Sequence, residues 1–232
     1  MFKKYKILAL IPARGKSLEL KKKNIKKFLQ KPLIQWTLEA VKKSKYIDKV
    51  VVSTDSNKIL KIAKKYKNFK LSKRPAHLST RYINMYSVLE YELKKNPGYD
   101  ILILLQPTSP LRTVKDIDKS LKLMIDYKRK ACVSFIKLKY IPDLMFKIET
   151  NFKLKKFKKI NLSLNRQQYE KYYYPSGDIY ISFIKRLLLK KNFLDKNTFP
   201  YIIDNRKSID IDDILDFKFG ELKLKLFSKK LS

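Results

Sequence analysis

Ile7-Leu8-Ala9-Leu10-Ile11-Pro12-Ala13-Arg14-Gly15-Lys16-Ser17, followed six residues on by Lys23-Asn24, is the stretch that decides how this chain folds. The five apolar residues Ile7 to Ile11 predict a short buried strand. Pro12 ends the run, and a loop carrying Arg14, Gly15, Ser17, Lys23 and Asn24 follows. A strand that empties into a loop of cations and small hydroxyls is where an α/β protein holds a polyphosphate.

Strand and helix signals alternate outward from that loop. Leu33, Ile34, Thr37, Leu38 and Val41 share one helical face after Pro32. Val50 to Thr54 is a buried strand ended by Asp55, and either Asp55 or Ser56 is expected to cap the helix carrying Ile59, Ile62, Ala63 and Tyr66. A strand at Phe69 to Leu71 precedes a helix with Met85, Val88, Leu89 and Leu93 inward. Ile101 to Leu105, the most apolar run, is expected as a central parallel strand. It ends in the rigid turn Gln106 to Arg112. A helix with Val114, Ile117, Leu121 and Met124 and a strand from Ala131 to Ile136 complete the series. The order predicts an α/β fold with a doubly wound, mostly parallel sheet flanked by helices.

The pattern changes at residue 140. From 140 to 174 apolar and basic residues partly alternate, as in hairpin strands, so this stretch is expected to be an extension that meets a second subunit. Strands at Asp178 to Phe183 and Phe199 to Ile203 and a last helix from Ile214 follow. The end of that helix is ambiguous, because Leu222, Leu224 and Leu226 alternate like a strand. The whole 1–232 chain is read as one domain containing the extension.

A net charge of +34, from 55 basic and 21 acidic residues, has two readings: a footprint for nucleic acid or an acidic membrane, or a lysine-rich solvated surface. Forty-seven lysines against eight arginines, spread along the whole chain, favour the second. Nucleic-acid surfaces favour clustered Arg, which forks onto phosphates and bases. No specific nucleic acid and no membrane partner are expected. The single cysteine, Cys132, excludes an internal disulfide. Lys3, Lys4 and Lys6 lead into too short an apolar run for a signal peptide, and no run reaches the roughly 20 residues of a membrane span. A cytoplasmic protein is expected.

Arg14 and Lys23 lie across a loop able to fold back on itself, where two cations neutralise a triphosphate and the charge growing on a leaving pyrophosphate. The alternative is that Lys21 to Lys23 are only a solvated run. Gln106 leaves the central strand at the ligand edge and suits a sugar or base, although Pro107, Ser109 and Pro110 explain the bend unaided. Asp210 and Asp212, two apart, converge on one face if extended, an arrangement suited to Mg²⁺. Asp212 or Asp213 is alternatively a helix cap. His77, the lone histidine, is expected at the surface, and no zinc cluster or serine-hydrolase elbow is present.

Taken together, Ile11-Pro12-Ala13-Arg14 with Lys23-Asn24, Ser53-Thr54-Asp55, Arg74-Pro75, Gln106-Pro107-Thr108-Ser109-Pro110-Leu111-Arg112, Arg166-Gln167, and Ser208-Ile209-Asp210-Ile211-Asp212 with Asp216-Phe217 resemble the acylneuraminate cytidylyltransferases. The resemblance runs nearly the full length. It implies a Rossmann-like nucleotide-diphospho-sugar transferase fold, a homodimer, and Mg²⁺-dependent transfer of CMP from CTP to an acidic nine-carbon sugar. By that resemblance Arg14, Ser17, Lys23, Asn24, Arg74 and Asn84 bind the nucleotide, Gln106 and Arg166 the sugar, and Asp210 and Asp212 the metal. Lys23, Arg14 and Asp212 are the expected catalytic residues. The chain departs from the family at Lys16, Leu18, Glu19 and Arg81, and Ser176-Gly177 stands for the usual Asn-Gly. The alternatives are 3-deoxy-manno-octulosonic acid as the acceptor and, from another class, a catalytically weakened basic nucleic-acid-binding or scaffold protein.

Overall fold

The computed structural model describes residues 2–156 and 167–228. β1 (Ile7–Pro12) is buried along its whole length, as its unbroken apolar run requires. The loop after it ends in a two-residue hairpin that sequence reading missed, β2 (Lys27–Phe28) with β3 (Lys31–Pro32), which leads into α1 (Leu33–Lys42). Then come β4 (Lys49–Thr54), α2 (Asn57–Ala63), β5 (Phe69–Lys73), α3 (Met85–Lys95), β6 (Ile101–Leu104), α4 (Val114–Asp126) and β7 (Ala131–Lys137). The expected alternation therefore holds through residue 137.

Local chemistry explains the helix boundaries. The α1 residues read as its inward face, Leu33, Ile34, Thr37, Leu38 and Val41, are the buried ones. Thr113 and Asp116 form a reciprocal capping box at the start of α4. Neither residue expected to cap α2 does so with its side chain: Ser56 makes no such bond, and Asp55 accepts from the Gly15 N–H at 2.7 Å. The carboxylate is taken by the loop after β1.

Beyond β7 lie a short hairpin of β8 (Phe146–Ile148) and β9 (Leu154–Lys156), the long β10 (Tyr173–Phe183), α5 (Ile184–Lys190), β11 (Phe199–Ile202) and α6 (Ile214–Ser228). The seven-stranded sheet runs β11-β7-β10-β6-β1-β4-β5. Every neighbouring pair is parallel except the two made by β10. The expectation of a parallel central strand at Ile101 needs correction on one side: β6 is parallel to β1 but antiparallel to β10. The excursion after β7 leaves and returns at the same sheet edge, so β10 must run backwards.

The main core lies where α1, α2 and α4 cover one face of the sheet, with a second cluster under α3 and α5 on the other. Each fully buried Leu or Ile there contributes about 1.5–3 kcal/mol. The ambiguity of the last segment resolves as helix. Phe217 and Leu224 pack inward on Phe28 and Leu33, while Leu222 and Leu226 are exposed on the opposite side. The apparent alternation is two faces of one helix. Among the described residues no helix is long and apolar enough to cross a membrane.

Candidate functional site

Strand order reverses between β1 and β6: β4 and β5 follow on one side of β1, β6 on the other. The loops leaving β1 and β6 diverge there, opening the crevice in which sheets of this kind take ligands. A cleft of about 240 Å³ occupies it, lined by Arg14, Ser17, Lys23, Asn24, Arg74, Gln106, Thr108, Asp210 and Asp212 among others. A second cavity of about 170 Å³, bordered by Leu18 and Glu19, shares Arg14, Ser17, Lys23 and Asp212 with it.

The first wall is the loop after β1. The Ala13 N–H donates to the Ser53 carbonyl at 2.9 Å, extending the β1–β4 ladder by one residue. Gly15 then passes so close to α2 that a Cβ would lie 2.8 Å from the Ser56 Cβ. Asn24 is buried and closes the loop, its Nδ2 donating to the Arg14 carbonyl at 2.9 Å. Lys23 crosses the cleft: Nζ donates to the Ile211 carbonyl at 2.5 Å and to Asp212 Oδ1 at 3.0 Å. It is not part of a solvated run, since its side chain is only 12% exposed.

The second wall joins the turn after β6 to residues 208–212. The Ile211 N–H donates to the Thr108 carbonyl at 2.9 Å, and Thr108 hydrogen-bonds the Asp210 carboxylate. Desolvation at the cleft floor raises the Asp210 carboxyl above the usual range. Asp212 and Asp216 push the same way, while Thr108 and Lys23 oppose. Gly177, at a φ of +79°, leaves the space that Asp210 fills: a Cβ there would sit 3.1 Å from Oδ2. Asp213 is the capping residue, its Oδ1 accepting from the Asp216 N–H at 2.8 Å, and Asp216 in turn accepts from the Asp212 N–H at 3.0 Å. That leaves the Asp212 side chain for the cleft.

A buried charge supports this wall. Arg112 donates from Nη1 to the Asp178 carbonyl at 2.5 Å and from Nη2 to Thr37 Oγ1 at 2.8 Å and the Gln106 carbonyl at 3.2 Å. Burial lowers its pKa to about 10. Asp178, also buried, accepts from Ser208 Oγ, and burial pushes its carboxyl up to about 6. Sequence reading found Arg112 as part of a motif but not as this support, and it missed Asp178.

The arrangement brings together Arg14, Ser17, Lys23, Asn24, Arg74, Gln106, Asp210 and Asp212. Asn84 does not line the cleft. It caps α3, its side chain accepting from the Tyr86 N–H at 2.9 Å, while its neighbours Ile83 and Met85 reach the wall. Arg166 lies outside the described residues. Among the described residues no group of three or more His, Cys, Asp or Glu gathers as a metal site. Two carboxylates facing a cleft suffice for a divalent cation that also takes ligand phosphates and water, and such a cation would offset the desolvation, and the lesser repulsion from Asp212, that raise Asp210. His77 is exposed, as expected.

A family model described as cytidylyltransferase matches residues 8–211. The chain is 32% identical over 226 residues to an N-acylneuraminate cytidylyltransferase of Escherichia coli O18:K1:H7, covering 97% of this chain and 53% of that one. It is 31% identical to a CMP-N,N'-diacetyllegionaminic acid synthase of Legionella pneumophila, covering 97% and 99%. The chain thus spans about half the length of the first relative and nearly all of the second. Among solved structures, CMP:2-keto-3-deoxy-manno-octonic acid synthetase complexed with CTP superposes with a TM-score of 0.65 at 16% identity, over 97% of this chain and 99% of that one. This likeness identifies the fold.

Proposed function

The chain belongs to the cytidylyltransferase family, and we propose that it is a cytoplasmic enzyme transferring CMP from CTP to the anomeric hydroxyl of a nonulosonic acid, with release of pyrophosphate. The observation that carries this reading is the single cleft in which Arg14 and Lys23 face Asp210 and Asp212. The relatives named for sialic and legionaminic acids support the substrate class.

Arg14, Ser17, Lys23 and Asn24 hold the triphosphate, and Arg74 lies toward the base. Asn84 serves this site through the cap of α3. Lys23 carries the cation that stabilises charge on the departing pyrophosphate. For it to do so the phosphates displace Asp212 from Nζ, which frees Asp212 to take the proton of the sugar hydroxyl. Gln106 orients the sugar, and Arg166 is assigned its carboxylate. Asp210 and Asp212 fit Mg²⁺, which supplies charge neutralisation on the phosphates when bound. The exposed apolar side chains of the β8–β9 hairpin, Phe146, Ile148, Phe152 and Leu154, support a homodimer formed through residues 140–174.

Incubation with CTP, Mg²⁺ and a panel of nonulosonic acids, with 3-deoxy-manno-octulosonic acid as competitor, should release pyrophosphate with one of the nine-carbon acids. Preference for the eight-carbon acid would move the acceptor. Silence throughout, with no CTP binding by calorimetry, would overturn the reading.

A further inference from the structure

Glu92 of α3 is fully buried, and neither of its carboxylate oxygens has a hydrogen-bond partner. It follows Val88, which lines the cleft, by one helical turn. Its neighbours Leu89 and Leu93 pack on Leu8, Leu10 and Val51. Ser53 lies two residues beyond Val51 and so on the same face of β4. It is in register with Ser72 of β5, and both hydroxyls are buried and unpartnered too. Two residues past Ser72 comes Arg74, whose N–H donates to the Thr54 carbonyl at 2.8 Å and prolongs the ladder. Arg74 is 5% exposed, donates from Nε to Ser79 Oγ at 3.1 Å, and lines the cleft.

A buried carboxylate without partners is strongly unfavourable unless a cation compensates it. A leucine at position 92 would simply extend the apolar cluster of Leu89 and Leu93. The charge instead stands behind the cleft wall, where Glu92 and Asp55 attract the Arg74 guanidinium while Arg14 repels it. We infer that Glu92 is a positioning residue for nucleotide binding, its buried carboxylate holding Arg74 in charge and direction at the cleft wall from the core side. Ser53 and Ser72 are rotatable donors on the same face. The inference rests on reading the cleft as a nucleotide site.

The test uses the full chain and two variants, Glu92→Leu and Glu92→Gln. Glu92→Leu removes an unpartnered buried charge and, with it, one of the two anions facing Arg74, two effects of opposite sign on stability. Its CTP dissociation constant by calorimetry should nevertheless weaken about tenfold. Glu92→Gln keeps shape but not charge, and should weaken CTP binding in the same way. CTP affinity unchanged in both variants would overturn the inference, and so would a weakening in Glu92→Leu that Glu92→Gln does not share, which marks a structural role. Wild type that binds no CTP would remove the nucleotide reading itself. The Glu92–Arg74 link is then measured by a double-mutant cycle: Arg74→Met should destabilise wild type more than it destabilises Glu92→Leu, and additive stabilities would remove the link by themselves.

Discussion

The cation wall of the cleft, residues 13–24, hangs on backbone-level contacts: Asp55 on the Gly15 N–H, Asn24 on the Arg14 carbonyl, and Lys23 reaching across to the other side. The acid wall, residues 106–112 with 208–212, stands on Arg112, a guanidinium buried among Thr37, Gln106 and Asp178. Rigid support behind the carboxylates and a shorter tether behind the cations divide the labour. Asp210 is held by its wall, whereas Lys23, on the proposed function, would have to exchange Asp212 for a phosphate.

That contrast breaks most readily at Arg112. Arg112→Met leaves buried acceptors unmet and Asp178 without its compensating charge, and should cost about 3–5 kcal/mol in urea unfolding. A smaller loss than any variant of the cation wall produces would reverse the comparison. Lys23→Ala should do the opposite. Its partner Asp212 is 70% exposed, so stability should change by less than about 1 kcal/mol, while pyrophosphate release should slow about 10²–10³-fold.

The acid wall should also respond to pH. The Asp178 carboxyl titrates near 6 when folded, above its unfolded value of about 3.9. Between those values the native state holds the extra proton, so stability falls as pH rises from about 4 to 6 and is level above, a loss of roughly 3 kcal/mol. Urea midpoints across that window should show the slope in wild type and not in Asp178→Asn. The smallest effect on the site belongs to Gly15→Ala. Its methyl meets the Ser56 side chain, and overpacking of this kind costs about 1–2 kcal/mol. CTP affinity should fall with it, because the loop moves as one piece.

The cation wall was largely legible in the sequence, since a strand followed by Arg14, Lys23 and Asn24 states its chemistry within one short stretch. The alternation of strands and helices through residue 137 was legible for the same reason: each inward face repeats at its own period. The acid wall was legible only as motifs. Nothing in the spacing of Thr37, Arg112, Asp178 and Ser208 says that four distant segments share one buried charge. Asn84 was assigned to the nucleotide by resemblance alone, and its place as the cap of α3 was not read from the sequence. Glu92 sits among helix residues of ordinary composition, and its isolation exists only once α3 is laid on the sheet. The direction of β10 depends on where the excursion from β7 returns, which no local pattern encodes.

That reversed strand sets the order in which the molecule can be made. β1, β4 and β5 can associate once the first 73 residues are available, and β6 joins them from Ile101 onward. β7 and β11 reach this block only through β10, which pairs Tyr180 with Leu104 on one side and with Val133 on the other. Pairings so far apart in sequence form slowly and late. Gly177, which makes room for Asp210, belongs to that same strand. A chain still lacking β10 therefore has its cation loop but no seat for its acid, so the cleft completes in the step that joins the two parts of the sheet.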